Sequence, residues 1–311
     1  MIVAVTGANG FVGSALVREL GERSYRVRPI VRELAGGKSV AVGDIGPETD
    51  WRRALDGVDI VVHCAARVHV MEEIAADPVA EFERVNAAGT RRLVQCAAEA
   101  GVRRIVYVSS IKVNGERTCP NSGPAAFTAF DTPDPQDAYG LSKYHAEQAL
   151  LDPAITASVE TVIVRPPLVY GPGVGGNFSR LIRLVRSGLP LPFAGVNNSR
   201  SLVGIGNLID LLVLCAEHPA AAGQTFLASD GRDLSTAGLI RELAAAMERS
   251  PRLFALPLGL LEAAGRFTGR SAQVDRLVES LQVDVSHTRK WLDWSPPCSV
   301  EYEMRRTVAV S

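Results

Sequence analysis

The sequence predicts an α/β protein: a doubly wound parallel sheet with a smaller, mostly C-terminal α/β domain. Three observations lead there. Ile2 to Val5 is an unbroken apolar run that opens onto glycines at positions 7, 10 and 13. Short apolar runs then alternate with helix-spaced segments as far as Arg165, as expected for strands buried on both faces and joined by crossover helices. Beyond Arg165 the chain turns rich in proline and glycine (Pro166, Pro167, Gly171, Pro172, Gly173, Gly175, Gly176), a shift that marks a domain boundary. Residues 1–165 are therefore assigned to the sheet domain and 166–311 mostly to the second, with the helix and strand near 207–228 returning to the first.

The opening stretch IVAVTGANGFVG carries the first functional signal. A turn emptied of side chains at Gly7, Gly10 and Gly13 lets a pyrophosphate lie against backbone. The helix-spaced apolar residues from Phe11 to Leu20 place the free N–H groups of a helix start, including those of Phe11 and Val12, at the same anion. Strand, glycine turn and helix in that order form the context that makes such a motif informative. The sheet is thus of the dinucleotide-binding, Rossmann type.

The motif is TGxxGxxG (Thr6, Gly7, Ala8, Asn9, Gly10, Gly13), and here the chain resembles the extended branch of the short-chain dehydrogenase/reductase superfamily, the NAD-dependent epimerase/dehydratase family. That branch works on nucleotide-activated sugars, so the resemblance implies a nucleotide-diphosphate sugar as substrate and NADP or NAD as cofactor. A second strand, Tyr25 to Val31, ends at Arg32, with Glu33 and Lys38 close behind. A carboxylate there suits the ribose of NAD and a cation suits a 2′-phosphate. The YRVRPIVRE stretch resembles NADP-using reductases, so NADP is favoured over NAD.

A third strand near Ser39 to Val42 leads to Asp44 and Ile45, which the resemblance assigns to the adenine. A short helix including Trp51 and Leu55 follows. The fourth strand, Asp59 to His63, delivers Ala65, Ala66 and Arg67 against the cofactor, while His63 reads as core. One long helix is expected from Val79 to Ala100. In it, Asn86 of NAAGT matches the family's asparagine that props the catalytic lysine and neighbouring backbone through its amide, and in many relatives this helix helps form a homodimer. Arg104 to Val108 is the fifth strand and carries Ser109 and Ser110 at its carboxyl end, where open parallel sheets bind ligands. A loop from Asn114 to Ala138 is long enough to be a functional flap. Strand six runs from Glu160 to Arg165, and the resemblance places Val108 and Pro166 beside the cofactor.

Tyr139 and Lys143 form YxxxK, a phenol and an ammonium one turn apart on a helix. A free phenol titrates near 10. A neighbouring cation and a positive nicotinamide favour phenolate, so the Tyr139 pKa is expected to fall and the group to act as general acid or base. Lys143 would hold the cofactor ribose, and Ser110 would hold the reacting sugar oxygen. Sugar 4,6-dehydratases of the family carry an Asp-Glu pair just after the catalytic hydroxyl. Here those positions are Ile111 and Lys112, which argues against elimination of water. Many 4-epimerases have tyrosine where this chain has Asn114.

On the substrate side, Lys112 is expected to bind substrate, while Asn177, Arg200 of NSRSLV and Arg276 match positions that receive the nucleotide diphosphate, a task suited to arginine's bidentate fork. SSIKVNGE, RPPLVYGPGVGGNF and NSRSLV together look most like bacterial nucleotide-sugar C4 reductases and UDP-glucose 4-epimerases of polysaccharide biosynthesis. Two other readings are an NADP-dependent reductase of a small aldehyde or ketone and a non-catalytic NADP sensor.

The totals are consistent with this. Among 311 residues, 47% are hydrophobic and 22% charged, and 33 Lys and Arg face 34 Asp and Glu. Such a balance gives no overall basic field for nucleic acid or anionic lipid. Ile2 already reads as strand and no apolar run is long enough to span a membrane, so the chain is expected in the cytoplasm without a leader. The five cysteines are scattered without CxxC, and the histidines lack ligand spacing, so no metal is expected.

Overall fold

The computed structural model describes residues 1–34, 39–68, 77–119, 125–267, 269 and 271–310; Lys38 and part of the 114–138 flap lie outside them. The sheet strands are β1 (Ile2–Thr6), β2 (Arg26–Val31), β3 (Val40–Ala41), β4 (Ile60–His63), β5 (Arg104–Val108) and β6 (Glu160–Arg165). The chain then forms β7 (Leu168–Tyr170), β8 (Leu202–Gly204) and β9 (Thr225–Leu227). Seven strands make one parallel sheet in the order β3-β2-β1-β4-β5-β6-β9. The order reverses between β1 and β4, so their carboxyl ends diverge into a crevice.

Side chains alternate along each strand and so build two cores. Val3, Val5, Val62, Val106 and Val164 point to one face, where Leu16 and Leu20 of the helix Phe11–Glu22 meet Leu208, Leu211 and Leu212 of the helix Ile205–Glu217. Ala4, Val61, Ile105, Tyr107 and Ile163 point to the other, against Leu93, Val94 and Ala97 of the helix Gly89–Glu99 and Ala146 and Leu150 of the helix Ala138–Leu151. Fully burying each such aliphatic chain contributes about 1.5–3 kcal/mol.

The expected single helix from 79 to 100 is three pieces. Pro78–Phe82 is α-helical, Glu83–Ala88 is a π-helix, and Gly89–Glu99 resumes the α-helix. A π turn accommodates one extra residue, which periodicity counting does not register, and such turns recur at functional sites.

β7 and β8 pair separately in parallel. They lie beside a third core that includes Tyr170, Phe178, Ile182, Leu202, Leu243 and Met304. The flap is fixed to the C-terminal part by a single extended segment. Thr118 N–H donates to Ser280 O and Phe127 N–H to Gln282 O at 2.9 and 2.8 Å, while Ser201 N–H donates to Leu281 O at 2.8 Å on the other side. Ile111, Phe127, Leu227, Leu281 and Val283 fill the small core beneath it.

Candidate active site

The crevice between β1 and β4 opens into a cleft of about 790 Å³. Gly7, Asn9, Gly10, Arg32, Asp44, Ile45, Ala65, Ala66 and Arg67 all line it. Gly7 has φ +64°, and a Cβ there would stand 2.9 Å from the Ala65 backbone. A Cβ on Gly13 would stand 2.1 Å from Gly7 O, so this glycine lets the helix close onto the turn. Phe11 and Val12 pack against the core rather than into the cleft. The helix starts at Gly10 without a side-chain cap and with no acid in its first turn, leaving its leading N–H groups and positive end to an anion. These features fit a dinucleotide pyrophosphate. Thr6 Oγ1 fixes the turn from behind: it lies 2.6 Å from His63 Nδ1 and accepts from Ala65 N–H at 3.2 Å. His63 Nε2 in turn lies 2.9 Å from Thr90 Oγ1, and burial, with Lys143 nearby, lowers the imidazole to about 3. His63 is therefore neutral and structural.

At the far end of the cleft, Arg32 Nε lies 3.1 Å from Asp44 Oδ1, both groups being largely exposed. Two residues expected to touch the cofactor separately are thus paired with each other. Arg84, which sequence reasoning passed over, also lines the cleft and donates to Ile45 O at 3.2 Å. Gly89 allows this loop to sit on the helix, since a Cβ would come within 2.5 Å of Ile45 Cγ2.

Ser110, Tyr139 and Lys143 converge at the carboxyl end of β5. The Ser110 hydroxyl hydrogen-bonds the Tyr139 phenol. Lys143 is 1% exposed, donates from Nζ to Val108 O at 2.7 Å, and lies 4.1 Å above the Tyr107 ring. Burial lowers its ammonium to about 7, opposed by Glu147 and Cys64. The expected fall of the Tyr139 pKa belongs to the complex with a positive nicotinamide, and the chain's own groups act the other way. Burial first, then the Asp137 carboxylate, push the phenol up to about 12, with Ser110 opposing. The chain's own groups favour the protonated phenol.

Asn86 engages neighbouring backbone through its amide, as expected. Turned by the π-helix, it accepts from Arg67 N–H at 2.7 Å and donates to Arg67 O at 3.0 Å and to Ser142 Oγ at 2.9 Å. It therefore ties the loop after β4 to the catalytic helix, while the Lys143 ammonium bonds the carbonyl of Val108. Pro166 is buried as well, its carbonyl accepting from Ile111 N–H at 3.0 Å. The carbonyls of Val108 and Pro166 thus accept from Lys143 and from the Ile111 N–H of the turn after β5.

Beneath Lys143 lies a buried ion pair. Arg165 donates to Glu147 Oε1 and Oε2 at 2.9 and 2.5 Å and to Asn114 Oδ1 at 3.0 Å. Ser109 Oγ donates to Glu147 at 2.5 Å. Ser109 is therefore engaged inward, whereas Ser110 faces the phenol. Asn114 also donates to Thr128 O at 2.8 Å, so it joins this pair to the flap.

The substrate-side residues do not form one group. Arg200 Nη1 donates to Arg276 O and Glu279 O at 2.9 and 3.0 Å, which brings Arg200 and Arg276 together. Asn177 is exposed at the start of the helix Gly176–Arg186. Lys112 Nζ sits between Glu116 Oε1 at 2.6 Å and Asp137 Oδ2 at 2.5 Å. Among the described residues no group of three or more His, Cys, Asp or Glu could hold a metal ion, and no helix is long and apolar enough to cross a membrane.

Comparison with known proteins gives the family and the fold. The NAD dependent epimerase/dehydratase family matches residues 3–228. The chain belongs to this family. A UDP-glucose 4-epimerase of Vibrio cholerae is 45% identical over 98% of this chain and 94% of its own length. Among solved structures, the UDP-N-acetylglucosamine 4-epimerase from Bacillus cereus superposes with a TM-score of 0.80 at 20% identity, covering 100% of this chain and 99% of that one. The UDP-glucuronic acid 4-epimerase from Bacillus cereus in complex with NAD gives 0.78 at 20% identity over 100% and 98%.

Within the NAD-dependent epimerase/dehydratase family, the chain is an enzyme of the extended short-chain dehydrogenase/reductase type. Sequence reasoning missed Arg84, Asp137, Glu147 and Arg165 as site residues. One signal was available: Glu147 follows Lys143 by four residues and so lies on the same helix face. Arg165 gave none, because its partners come from the helix Ala138–Leu151 and the flap.

Proposed function

We propose that the protein interconverts C4 epimers of a UDP-hexose, UDP-glucose and UDP-galactose first among them. The observation that carries this reading is the convergence of Ser110, Tyr139 and Lys143 at the carboxyl end of β5, which pairs with β4, the strand whose following residues Cys64 to Arg67 line the dinucleotide cleft. Ser110 holds the C4 oxygen and Tyr139 takes its proton, then returns it to the same oxygen once the sugar has turned over. Lys143, oriented by Val108 O, would hold the cofactor ribose. The nicotinamide, when bound, accepts and returns the C4 hydrogen with its electron pair. Gly7, Gly10 and the start of the helix Phe11–Glu22 would hold the pyrophosphate, and Arg200 with Arg276 would hold the diphosphate of the sugar nucleotide. Ile111 and Lys112 offer no carboxylate for elimination of water.

The deciding experiment is incubation with UDP-glucose, UDP-N-acetylglucosamine and a UDP-4-keto-6-deoxyhexose while following reduced-cofactor absorbance. Epimer formation without net cofactor change is the expected result. Stoichiometric oxidation with the keto sugar alone would make the protein a C4 reductase, and no hydrogen transfer with any sugar would make it a sensor.

For the cofactor, the cations lining the far end of the cleft, Arg32 and Arg84, support NADP in addition to NAD. Arg32→Ala is expected to weaken NADP binding about tenfold, the worth of one charge-assisted contact, and to leave NAD within a factor of about two. Fluorescence titration with both cofactors checks this; equal losses for the two would assign Arg32 to the shared part of the molecule.

A further inference from the structure

SSIKVNGE sets a lysine where family dehydratases carry an acid, and the reaction proposed above leaves that lysine without a task. Its surroundings supply one. The 3₁₀ turn Ile111–Val113 rests on the start of the helix Ala138–Leu151, so closely that a Cβ on Gly140 would stand 2.8 Å from Lys112 O. Lys112 N–H donates to Ser110 Oγ at 3.2 Å. Its ammonium reaches across to Asp137 Oδ2 at 2.5 Å, with Glu116 on its other side. Asp137 caps the helix by accepting from Gly140 N–H through Oδ1 at 2.7 Å, and it stands two residues before Tyr139. One residue therefore touches the serine that faces the phenol and the carboxylate that precedes it.

We propose that Lys112 is a positioning residue for the Ser110–Tyr139 pair: its ammonium offsets the Asp137 carboxylate beside the phenol and clamps the Ser110 turn to the catalytic helix. A carboxylate held near a phenol disfavours phenolate, and Asp137 already raises Tyr139. Among the described residues, the other groups seen to face Tyr139 do not bridge Ser110 and Asp137 as Lys112 does. Lys143 lies on the same helix but is committed to Val108 O. From β5 come the Ser110 hydroxyl and the Tyr107 phenol, which senses Tyr139. The helix Pro78–Phe82 presents the uncharged ring of Phe82, 6.1 Å between centroids, with Arg67 over its face. Glu116 adds negative charge on the far side of Lys112 and is paired by the same ammonium.

The proposal rests on reading Tyr139 as the acid–base group, so its test uses a readout that does not need turnover. With 3,5-difluorotyrosine at position 139, the ¹⁹F shift reports ionisation of that one phenol in an accessible pH range. Lys112→Met is expected to raise the ¹⁹F midpoint by about one pH unit. Lys112→Arg keeps it close to the parent's, and adding Asp137→Asn to Lys112→Met brings it back to or below the parent's. Should Lys112→Met fail to fold, Asp137→Asn alone carries the test: its amide oxygen keeps the cap, and the midpoint must fall. A midpoint unmoved by Lys112→Met, or by Asp137→Asn, overturns the proposal. Failure of the acid–base reading shows separately, as undiminished epimerisation by Tyr139→Phe.

Discussion

Tyr139→Phe is expected to lower kcat for C4 epimer interconversion about 10²–10⁴-fold, the range general acid–base catalysis contributes, while KM for the sugar nucleotide changes little. The reason lies in how the phenol is held. Burial and Asp137 favour its protonated form, and the Ser110 hydroxyl opposes them. The enzyme thus stores a protonated Tyr139 in a dry pocket, and deprotonation is favoured as positive charge enters the cleft. Removing the oxygen leaves Ser110 without its acceptor and the C4 hydroxyl without a base. Steady-state kinetics with circular dichroism of the variant checks the prediction; an intact fold with parental kcat would sink the assignment of Tyr139.

Glu147→Ala is expected to destabilise the fold by about 3–5 kcal/mol. Arg165 and Glu147 are both almost wholly buried and share two hydrogen bonds. Truncating one partner leaves a guanidinium in the interior with only Asn114, and takes the acceptor from Ser109. Domains have only about 5–15 kcal/mol to lose, so much of the margin would go. Replacing both partners by apolar residues of similar volume, Glu147→Leu with Arg165→Met, should recover most of it, because the charge is then gone along with its counter-charge. Urea unfolding of the three variants distinguishes this from an ion pair of no consequence, for which Glu147→Ala would cost less than about 1 kcal/mol.

What could be read from the chain was local. β5 and β6 run between the residues their apolar runs indicate, Arg104 to Val108 and Glu160 to Arg165, because a strand buried on both faces is nearly uniform in character. The glycine turn was legible because conformation and close approach each demand glycine, at Gly7 and Gly13 respectively. YxxxK was legible because its spacing is one helical turn. The π turn at Asn86 was not, since an inserted residue leaves a side-chain pattern that still reads as helix. Nor was the fate of the charges. Lys112 meets Asp137 from 25 positions away, Arg165 meets Glu147 from 18, and Arg200 meets Glu279 from 79. Such pairings are set by how elements stack, which a single sequence does not state.

The extended segment that secures the flap has a consequence for how the protein comes into being. Everything lining the dinucleotide cleft lies between Thr6 and Val85, whereas the flap leans on residues 280–284. On the ribosome these stretches emerge roughly ten to forty seconds apart at about 5–20 residues per second. The stretch that lines the cleft is therefore synthesised well before the one that seats the flap, so the flap is anchored late in synthesis.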